Sequence, residues 1–405
     1  MVDSVRLWIF DTETIACILK NPLLSFRGNI CYKTGEVYEY PKEAKLSGLT
    51  FRLIKRSRHR EVMEIRGSLH KWHNKGLHNY DDFSIREVFS AIYNLCRLFQ
   101  INPFTASIHN LEFGVNIPWP NPASELIQNI LSFKGQLPEY KGFNGGGSYI
   151  EFPCWEYRLK LYDKALQNRL TDNLLRVELS CHKQRSWQIK SEISVFADLL
   201  NPDKLQALLR LLLDKISGII LYDPSINLDA LTKPERKVLT EGRLSSFWKE
   251  QKNNLENFKK KRSRFDTLVN NYGSINTKNF LSKSIVAKWN ELQETDSNTR
   301  QSIDLFLSLF TKKTFPVFPD LPELDITHFH QLVIRGNNPF STIRCQSCGR
   351  DISSQKPGSK FCSEKVFGKD AKRCRNKDSN PRNNLIAREK RRYGSTPLLF
   401  EIEPL

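Results

Sequence analysis

The chain has 405 residues, a formal net charge of +18 and an isoelectric point of about 9.5. This excess of positive charge predicts a polyanionic partner, with nucleic acid ahead of anionic membrane. No apolar run approaches the ~20 residues of a membrane-spanning helix, and the first residues have no basic segment typical of a secretory signal. We therefore expect a cytoplasmic protein without a membrane partner, in which the scattered cysteines are reduced.

Two strands and a basic run are predicted near the start of the chain. Residues 5–10 form a short apolar run that predicts a buried strand. Asp11 follows it, and either places a carboxylate at the end of this strand or caps the next segment. Residues 51–54 predict another strand, and four basic residues follow it: Lys55, Arg56, Arg58 and Arg60. Such a run suits a hairpin tip that contacts the DNA backbone, although a solvated loop has the same composition.

Residues 62–73 alternate in polarity and predict a single strand. The three-residue spacing of His70 and His73 would place the two imidazoles on opposite faces, which disfavours a shared metal ion. His78 and Asn79 fall in a polar turn suited to holding DNA. Ser84 then begins a predicted helix with a capping box, and this helix faces the core.

Residues 107–117 predict another strand, whose polar face carries Glu112 beside Gly114. Because hard cations prefer oxygen ligands, Glu112 is a candidate ligand of Mg²⁺ or Mn²⁺, although this strand alone favours an ordinary exposed glutamate on a sheet face. A helix is expected over residues 123–133. The series of strands and helices predicts an antiparallel sheet with helices on one face.

The segment 156–164 predicts a strand with two unlike faces. Tyr162 shares the polar face with three cations, namely Arg158, Lys160 and Lys164. Cations favour a phenolate and bind phosphate, so this face suits a tyrosine that attacks a phosphodiester; a solvated sheet face is the simpler interpretation. The next strand, residues 173–181, places Glu178 on its own polar face.

The pattern becomes helical from residue 191 to 310, and a proline-rich linker follows at 316–322. Beyond the linker lie four cysteines with metal-like spacing: Cys345, Cys348, Cys362 and Cys374. Four thiolates satisfy a closed tetrahedral zinc site, so we predict structural Zn²⁺. Residues 344–392 hold 15 Lys/Arg and 5 Asp/Glu, a net charge of +10, which is more than half of the excess in the whole chain.

Five short motifs together resemble replication initiators of phages and plasmids. They are EIRGSLHK at 64–71, HN at 78–79, LEFG at 111–114, LYDK at 161–164 and LRVE at 175–178. Their order is similar to that in the filamentous-phage gene II/X replication proteins, and more distantly to the Rep_trans plasmid initiators. The resemblance covers residues 1–185. It implies a rolling-circle replication initiator of a bacterial host cell that nicks and joins DNA at an origin hairpin with Mg²⁺ or Mn²⁺.

The resemblance also implies roles for individual residues. Tyr162 would attack one strand and form a 5′-phosphotyrosyl link, assisted by Lys164, Lys160 or Arg158. The metal ligands would be Glu112, Asp11 and Glu178. Contacts to single-stranded and duplex DNA are expected from the following residues: Lys55, Arg56, Arg58, Arg60, Arg66, Ser68, His70, Lys71, His73, His78 and Asn79. A host helicase or polymerase is a further expected partner.

The predicted architecture is therefore α+β, with four segments. Residues 1–185 form a nicking and joining nuclease domain with an antiparallel sheet, and 186–315 a helical extension. Residues 316–340 form a linker, and 341–405 a small basic zinc module. The alternative function is a non-catalytic DNA- or RNA-binding regulator with a zinc module. A carboxylate cluster beside Tyr162 distinguishes the two, because a binding protein does not need one.

Overall fold

The computed structural model describes residues 1–56, 60–143 and 148–311, together with 345, 361–364, 368 and 371. The chain divides into two compact units, Met1–Phe329 and His330–Leu405. Among the described residues, no helix combines the length and the apolar character needed to cross a membrane.

The first unit contains a nine-stranded antiparallel sheet, in the order β2-β3-β4-β1-β5-β10-β9-β8-β7, and a small second sheet of β6 and β11. The strands are β1 (Val2–Ile9), β2 (Lys42–Leu46), β3 (Leu49–Lys55), β4 (Glu61–Ser68), β5 (Ser107–Pro118), β6 (Ile130–Phe133), β7 (Glu139–Gly142), β8 (Ser148–Pro153), β9 (Tyr157–Asp163), β10 (Leu174–Cys181) and β11 (Ile219–Leu221). The predicted antiparallel α+β architecture is confirmed.

The described residues also form twelve α-helices, some of which contact strands of the large sheet. They are α1 (Thr12–Lys20), α2 (Leu69–His73), α3 (Ile85–Phe99), α4 (Ala123–Gln128), α5 (Lys164–Asn168), α6 (Gln188–Ser191), α7 (Pro202–Ser217), α8 (Lys233–Gly242), α9 (Ser245–Gln251), α10 (Leu255–Tyr272), α11 (Thr277–Gln293) and α12 (Ser297–Ser308). The fully buried Trp289 of α11 meets Phe113 of β5 edge to face, with ring centroids 6.3 Å apart. A second apolar cluster surrounds the buried Trp248 and includes Phe258 and Phe265. These aromatic side chains anchor the helical segment.

Two predicted elements have different boundaries in the structure. The strand expected over 62–73 ends at Ser68, where the Ser68 hydroxyl accepts a hydrogen bond from the Lys71 amide and begins α2. The helix expected over 123–133 ends at Gln128, and residues 130–133 form β6, which pairs with β11. In both places a local cap or a distant strand partner overrides the apolar pattern that guided the prediction.

Candidate active site

Four adjacent central strands bring polar side chains to one face of the sheet. Glu178 of β10 lies opposite Lys160 of β9, and Arg176 lies opposite Tyr162. On the other side of β10, strand β5 contributes Glu112, and β1 follows next in the sheet. Because alternate residues of a strand share a face, this register gathers the motif residues on the face that the helices leave open.

Three carboxylates form the centre of the site. Asp3, Glu112 and Glu178 each place an oxygen within 4.8 Å of the others. Asp3 lies at a bulge of β1. Val2 pairs with Phe113 of β5 and Ser4 pairs with the adjacent Glu112, so Asp3 is an extra residue with no partner position on β5. Such a bulge re-aims the side chain of the extra residue, so Asp3 joins the cluster.

Two cations hold these carboxylates together. The Lys160 Nζ lies 3.0 Å from Glu112 Oε2 and 2.8 Å from Glu178 Oε1. The buried Arg176 donates to Glu178 Oε2 at 3.1 Å and to Asp3 Oδ2 at 3.2 Å. Burial opposes ionisation of Glu178, but Lys160 and Arg176 hold its pKa below the usual range. Burial and the charge of Glu178 raise the pKa of Glu112, so these two glutamates differ in acidity.

Tyr162 points into this cluster. Its hydroxyl donates to Glu178 Oε2 at 3.2 Å, and the side chain is only 5% exposed. Burial and the negative charge of Glu178 raise the pKa of Tyr162 well above 10. The phenol is therefore held protonated. This differs from the expectation that neighbouring cations favour phenolate, because Lys160 contacts Glu112 and Glu178 while Lys164 donates to Asn79.

A hydrogen-bonded chain connects Lys164 to the carboxylates. The Lys164 Nζ donates to Asn79 Oδ1 at 2.8 Å, and Asn79 Nδ2 donates to Asp3 Oδ2 at 3.0 Å. Ser68 also donates to Asp3 through its hydroxyl. Burial and the charge of Arg176 lower the pKa of Lys164 to about 8. Lys164 begins α5 rather than continuing β9, which turns its ammonium back toward the site.

A cleft of about 340 Å³ gives access to these residues. Phe143 and Tyr149 form one wall, with the Phe143 ring 5.1 Å from that of Tyr162 and edge to face with it. Tyr149 of β8 lies directly opposite Tyr162 in the register. Tyr140 of β7 is 60% exposed and does not line the cleft.

Two predicted site residues lie elsewhere. Asp11 is exposed and caps α1, where its carboxylate accepts a hydrogen bond from the Thr14 amide at 2.7 Å. The carboxylate that β1 contributes to the cluster is therefore Asp3, and the alternative role of Asp11 as a cap is correct. Arg158 of β9 is exposed and does not line the cleft.

The predicted DNA contacts fall into three groups. Lys71 and Asn79 line the cleft, while Arg66 lines a neighbouring groove. His70 is 2% exposed, and its Nε2 lies 2.7 Å from Asp81 Oδ1, so this imidazole is not available to DNA. Among the remaining residues, Lys55, Arg56 and Arg60 are exposed, whereas His73 and His78 are half-buried. The Ser68 hydroxyl donates a hydrogen bond to Asp3. Arg58 lies outside the described residues.

Sequence reasoning missed Asp3 as part of the site, and it gave no role to Arg176. Arg176 carried a usable signal, since it shares a polar strand face with Glu178. Asp3 carried none, because a bulge is invisible in the polarity pattern.

Two of the four cysteines in the predicted zinc site lie among the described residues. Cys345 and Cys362 are buried in one apolar cluster with Phe361 and Ala371. Cys348 and Cys374 lie outside the described residues. The zinc site therefore remains a prediction.

Comparison with known proteins gives a distant structural likeness. Neither the family models nor the curated proteins searched contain a match. Among solved structures, the chain is similar to a rolling circle replication initiator protein from Geobacillus stearothermophilus. The TM-score is 0.35 and the identity 14%, over 63% of this chain and 95% of that chain. A likeness this distant carries no functional weight, so the function must be inferred from the site itself.

Proposed function

We propose that the chain is a metal-dependent DNA nicking and joining enzyme that initiates rolling-circle replication through Tyr162. The observation that carries this proposal is the contact between the Tyr162 hydroxyl and Glu178, inside a cluster of three carboxylates. A tyrosine bonded to a carboxylate, beside a cation site and in an open cleft, has the arrangement that nucleophilic catalysis requires. The basic net charge of +18 supports DNA as the substrate.

The proposed reaction is a transesterification. The Tyr162 oxygen attacks phosphorus and passes its proton to Glu178, the acceptor of its hydrogen bond. A phosphorus–oxygen bond to the Tyr162 oxygen forms, and the bond from phosphorus to the 3′ oxygen breaks. The leaving 3′ oxygen takes up a proton from solvent and becomes a 3′-hydroxyl, Glu178 releases the proton of Tyr162 to solvent, and the 5′-phosphate remains on the enzyme. Joining is the same step in reverse, with the 3′-hydroxyl as nucleophile.

The carboxylates fit a hard divalent cation. Asp3, Glu112 and Glu178 offer only oxygen ligands, which is the donor set that Mg²⁺ and Mn²⁺ prefer. When bound there, the cation would supply positive charge to the phosphate. Lys160 now neutralises the same oxygens, and Arg176 holds Glu178 in place below the tyrosine.

Lys164 is the cation best placed to act on the phosphate. Its ammonium lies 5.5 Å from the centre of the Tyr162 ring and lines the cleft. An ammonium in this position stabilises the charge that develops on the phosphate oxygens during attack. Lys160 would also be free to act on the phosphate if a cation at the carboxylates replaced its contacts with Glu112 and Glu178. Arg158 is too exposed for this role.

The test is a search for a covalent adduct between the purified full-length chain and supercoiled DNA that carries its origin. Tyr162→Phe should retain DNA binding but form no adduct, because only the attacking oxygen is removed. Tyr140→Phe changes an exposed tyrosine outside the cleft and should leave adduct formation unchanged. Tyr149→Phe tests whether the second tyrosine of the cleft contributes. An adduct that forms undiminished with Tyr162→Phe would remove this tyrosine from the reaction.

A non-catalytic DNA- or RNA-binding protein is the second candidate. The 5% exposure and raised pKa of Tyr162 favour it, since a buried neutral phenol also suits a purely structural hydrogen bond. Such a protein would bind nucleic acid yet give no adduct with any tyrosine intact. In either case we propose a bacterial cytoplasmic setting, a helicase or polymerase partner and a C-terminal zinc module.

A further inference from the structure

An aromatic stack lies on the open sheet face, outside the cleft. Trp8 of β1 is half-buried, whereas Trp72, Trp187, Trp248 and Trp289 are fully buried. The His109 ring stacks on the Trp8 indole with centroids 3.6 Å apart and an interplanar angle of 22°. The Arg56 guanidinium lies 3.7 Å from the indole centroid. We call Trp8, His109 and Arg56 the Trp8 stack.

The stack is preformed and its outer member is accessible. The Trp8 Nε1 donates to Glu64 Oε2 at 3.2 Å, which fixes the orientation of the indole. Burial and the charges of Arg56 and Arg6 lower the pKa of His109 to about 4, so its ring is neutral at physiological pH. Arg56 itself is exposed. An exposed guanidinium held over an indole is a platform for a further ring, and bases stack on arginine and aromatic planes.

The stack shares its sheet face with a groove that borders the active site. A cavity of about 320 Å³ is lined by Arg6, Arg66, Asn110 and Glu112, and Glu112 also lines the Tyr162 cleft. Arg6 precedes Trp8 by two residues on β1, so both side chains lie on the same face of the sheet. Arg6 of β1 lies opposite Arg66 of β4 in the strand register, and their side chains are 36% and 41% exposed. They face the groove with guanidinium groups suited to phosphate.

We infer that this groove holds single-stranded DNA, with its phosphates on Arg6 and Arg66 and an unpaired base stacked on Arg56. Duplex DNA does not fit this role, because its base faces are already covered by neighbouring base pairs. A second aromatic and arginine pair extends the surface, since the Arg60 guanidinium lies 4.6 Å from the centre of the Phe10 ring. The inference rests on the proposed function and deepens it, because it names the surface that holds the strand next to the nick.

The key variant is Arg56→Lys, which keeps the charge of an exposed residue but removes the planar group. Binding is measured by fluorescence anisotropy with the full-length Tyr162→Phe chain, which is not expected to cleave its ligand. The ligands are a thymidine oligonucleotide, the same strand with abasic positions throughout, and a duplex of equal length. We expect Arg56→Lys to weaken binding of the thymidine strand about tenfold, as for the loss of one stacked base. Binding of the abasic strand and of the duplex should not change.

A matched pair of tryptophan variants tests the support of the stack. Trp8→Leu should reproduce the Arg56→Lys pattern, because the guanidinium loses its platform. Trp155 is the control, since it is 78% exposed and also lies under a cation, Lys183, but it lies between β8 and β9 and is not part of the Trp8 stack. Trp155→Leu should leave all three affinities unchanged.

Three results would overturn the inference. Equal weakening of all three ligands would show that the Arg56 guanidinium contacts the nucleic-acid backbone rather than a base, and unchanged affinities would show that it does not act at all. A larger loss for a uridine RNA strand than for the thymidine strand would make the surface an RNA site. Failure of the proposed function would be seen separately. If Arg56→Lys weakens only the thymidine strand but the unsubstituted protein forms no covalent adduct, the groove still binds single-stranded DNA and the nicking reaction is wrong.

Discussion

Asp3 shows what a single side chain adds to this site. The expected third carboxylate, Asp11, follows an apolar run, but it caps α1 instead. Asp3 reaches the cluster because β1 has a bulge between Val2 and Ser4. The polarity pattern correctly placed Glu112 and Glu178 on polar strand faces. It gave no sign of Asp3, because the position of a bulge depends on how two distant strands pair.

The first prediction concerns cation binding at these carboxylates, measured by calorimetric titration with Mn²⁺. Glu112→Gln should lower the affinity about ten- to a hundredfold, because the amide has nearly the same shape but no charge. Asp11→Asn is the matched control and should bind Mn²⁺ normally, since asparagine also caps a helix. Lys160→Met should raise the affinity, because it removes the ammonium that contacts Glu112 and Glu178. Equal loss in Glu112→Gln and Asp11→Asn would argue against this cation site.

At the scale of elements, the strands were easier to predict than their ends. The polar faces of β5, β9 and β10 follow from alternation alone, although polar residues on these faces, such as Arg176 and Glu178, are buried in the structure. The end of β4 did not follow from it, because residues 69–73 keep the same polarity pattern while Ser68 caps a helix. Local hydrogen bonds decide such boundaries, and a polarity pattern does not contain them.

The second prediction concerns the close approach of β5 and β10. A Cβ atom added at Gly114 would lie 2.0 Å from the Val177 carbonyl oxygen and 2.7 Å from the Glu178 Cα, both backbone atoms. Gly114→Ala should therefore push the strands apart and lower the free energy of unfolding by about 1–3 kcal/mol, as for other overpacked sites. Adduct formation should fall as well, because Glu178 moves with its strand.

Gly142→Ala is the control for this change. Gly142 is also in a strand of the sheet, but no neighbouring atom lies within 4 Å of the added Cβ. Thermal unfolding should be close to that of the unsubstituted chain. Similar destabilisation by both substitutions would mean that the strand spacing at Gly114 is not the cause.

At the scale of the whole molecule, the positive charge is concentrated in one C-terminal stretch of the sequence. Residues 344–392 carry a net charge of +10, out of +18 for the chain. Composition alone therefore predicted nucleic acid as the partner, and it also predicted where most of the salt-sensitive binding should reside. The arrangement of the active site needed the structure, because it depends on the register of strands that are distant in sequence.

The last prediction tests the C-terminal module. Thiolates must lose their protons to bind zinc, and the segment from Cys345 to Cys374 has few apolar residues, so its folding should depend on the metal. The purified chain should contain about one Zn²⁺, from four thiolates around a tetrahedral ion. Cys345→Ser with Cys348→Ser should remove this zinc and weaken duplex binding. The slope of the logarithm of the binding constant against the logarithm of the salt concentration should also become shallower, by about 0.9 for each phosphate that the module no longer neutralises.

Nicking of a pre-melted origin strand should persist in the same variant, because Tyr162 and its carboxylates belong to the sheet. The control is Cys17→Ser with Cys154→Ser, which changes two half-buried cysteines outside the module and should keep both zinc and salt slope. The prediction is wrong if metal analysis finds no zinc, or if the salt slope stays the same after Cys345→Ser with Cys348→Ser. Either result would mean that DNA binding does not depend on a zinc site of the four cysteines. The positive charge of residues 344–392 would then have to act without a zinc-dependent fold.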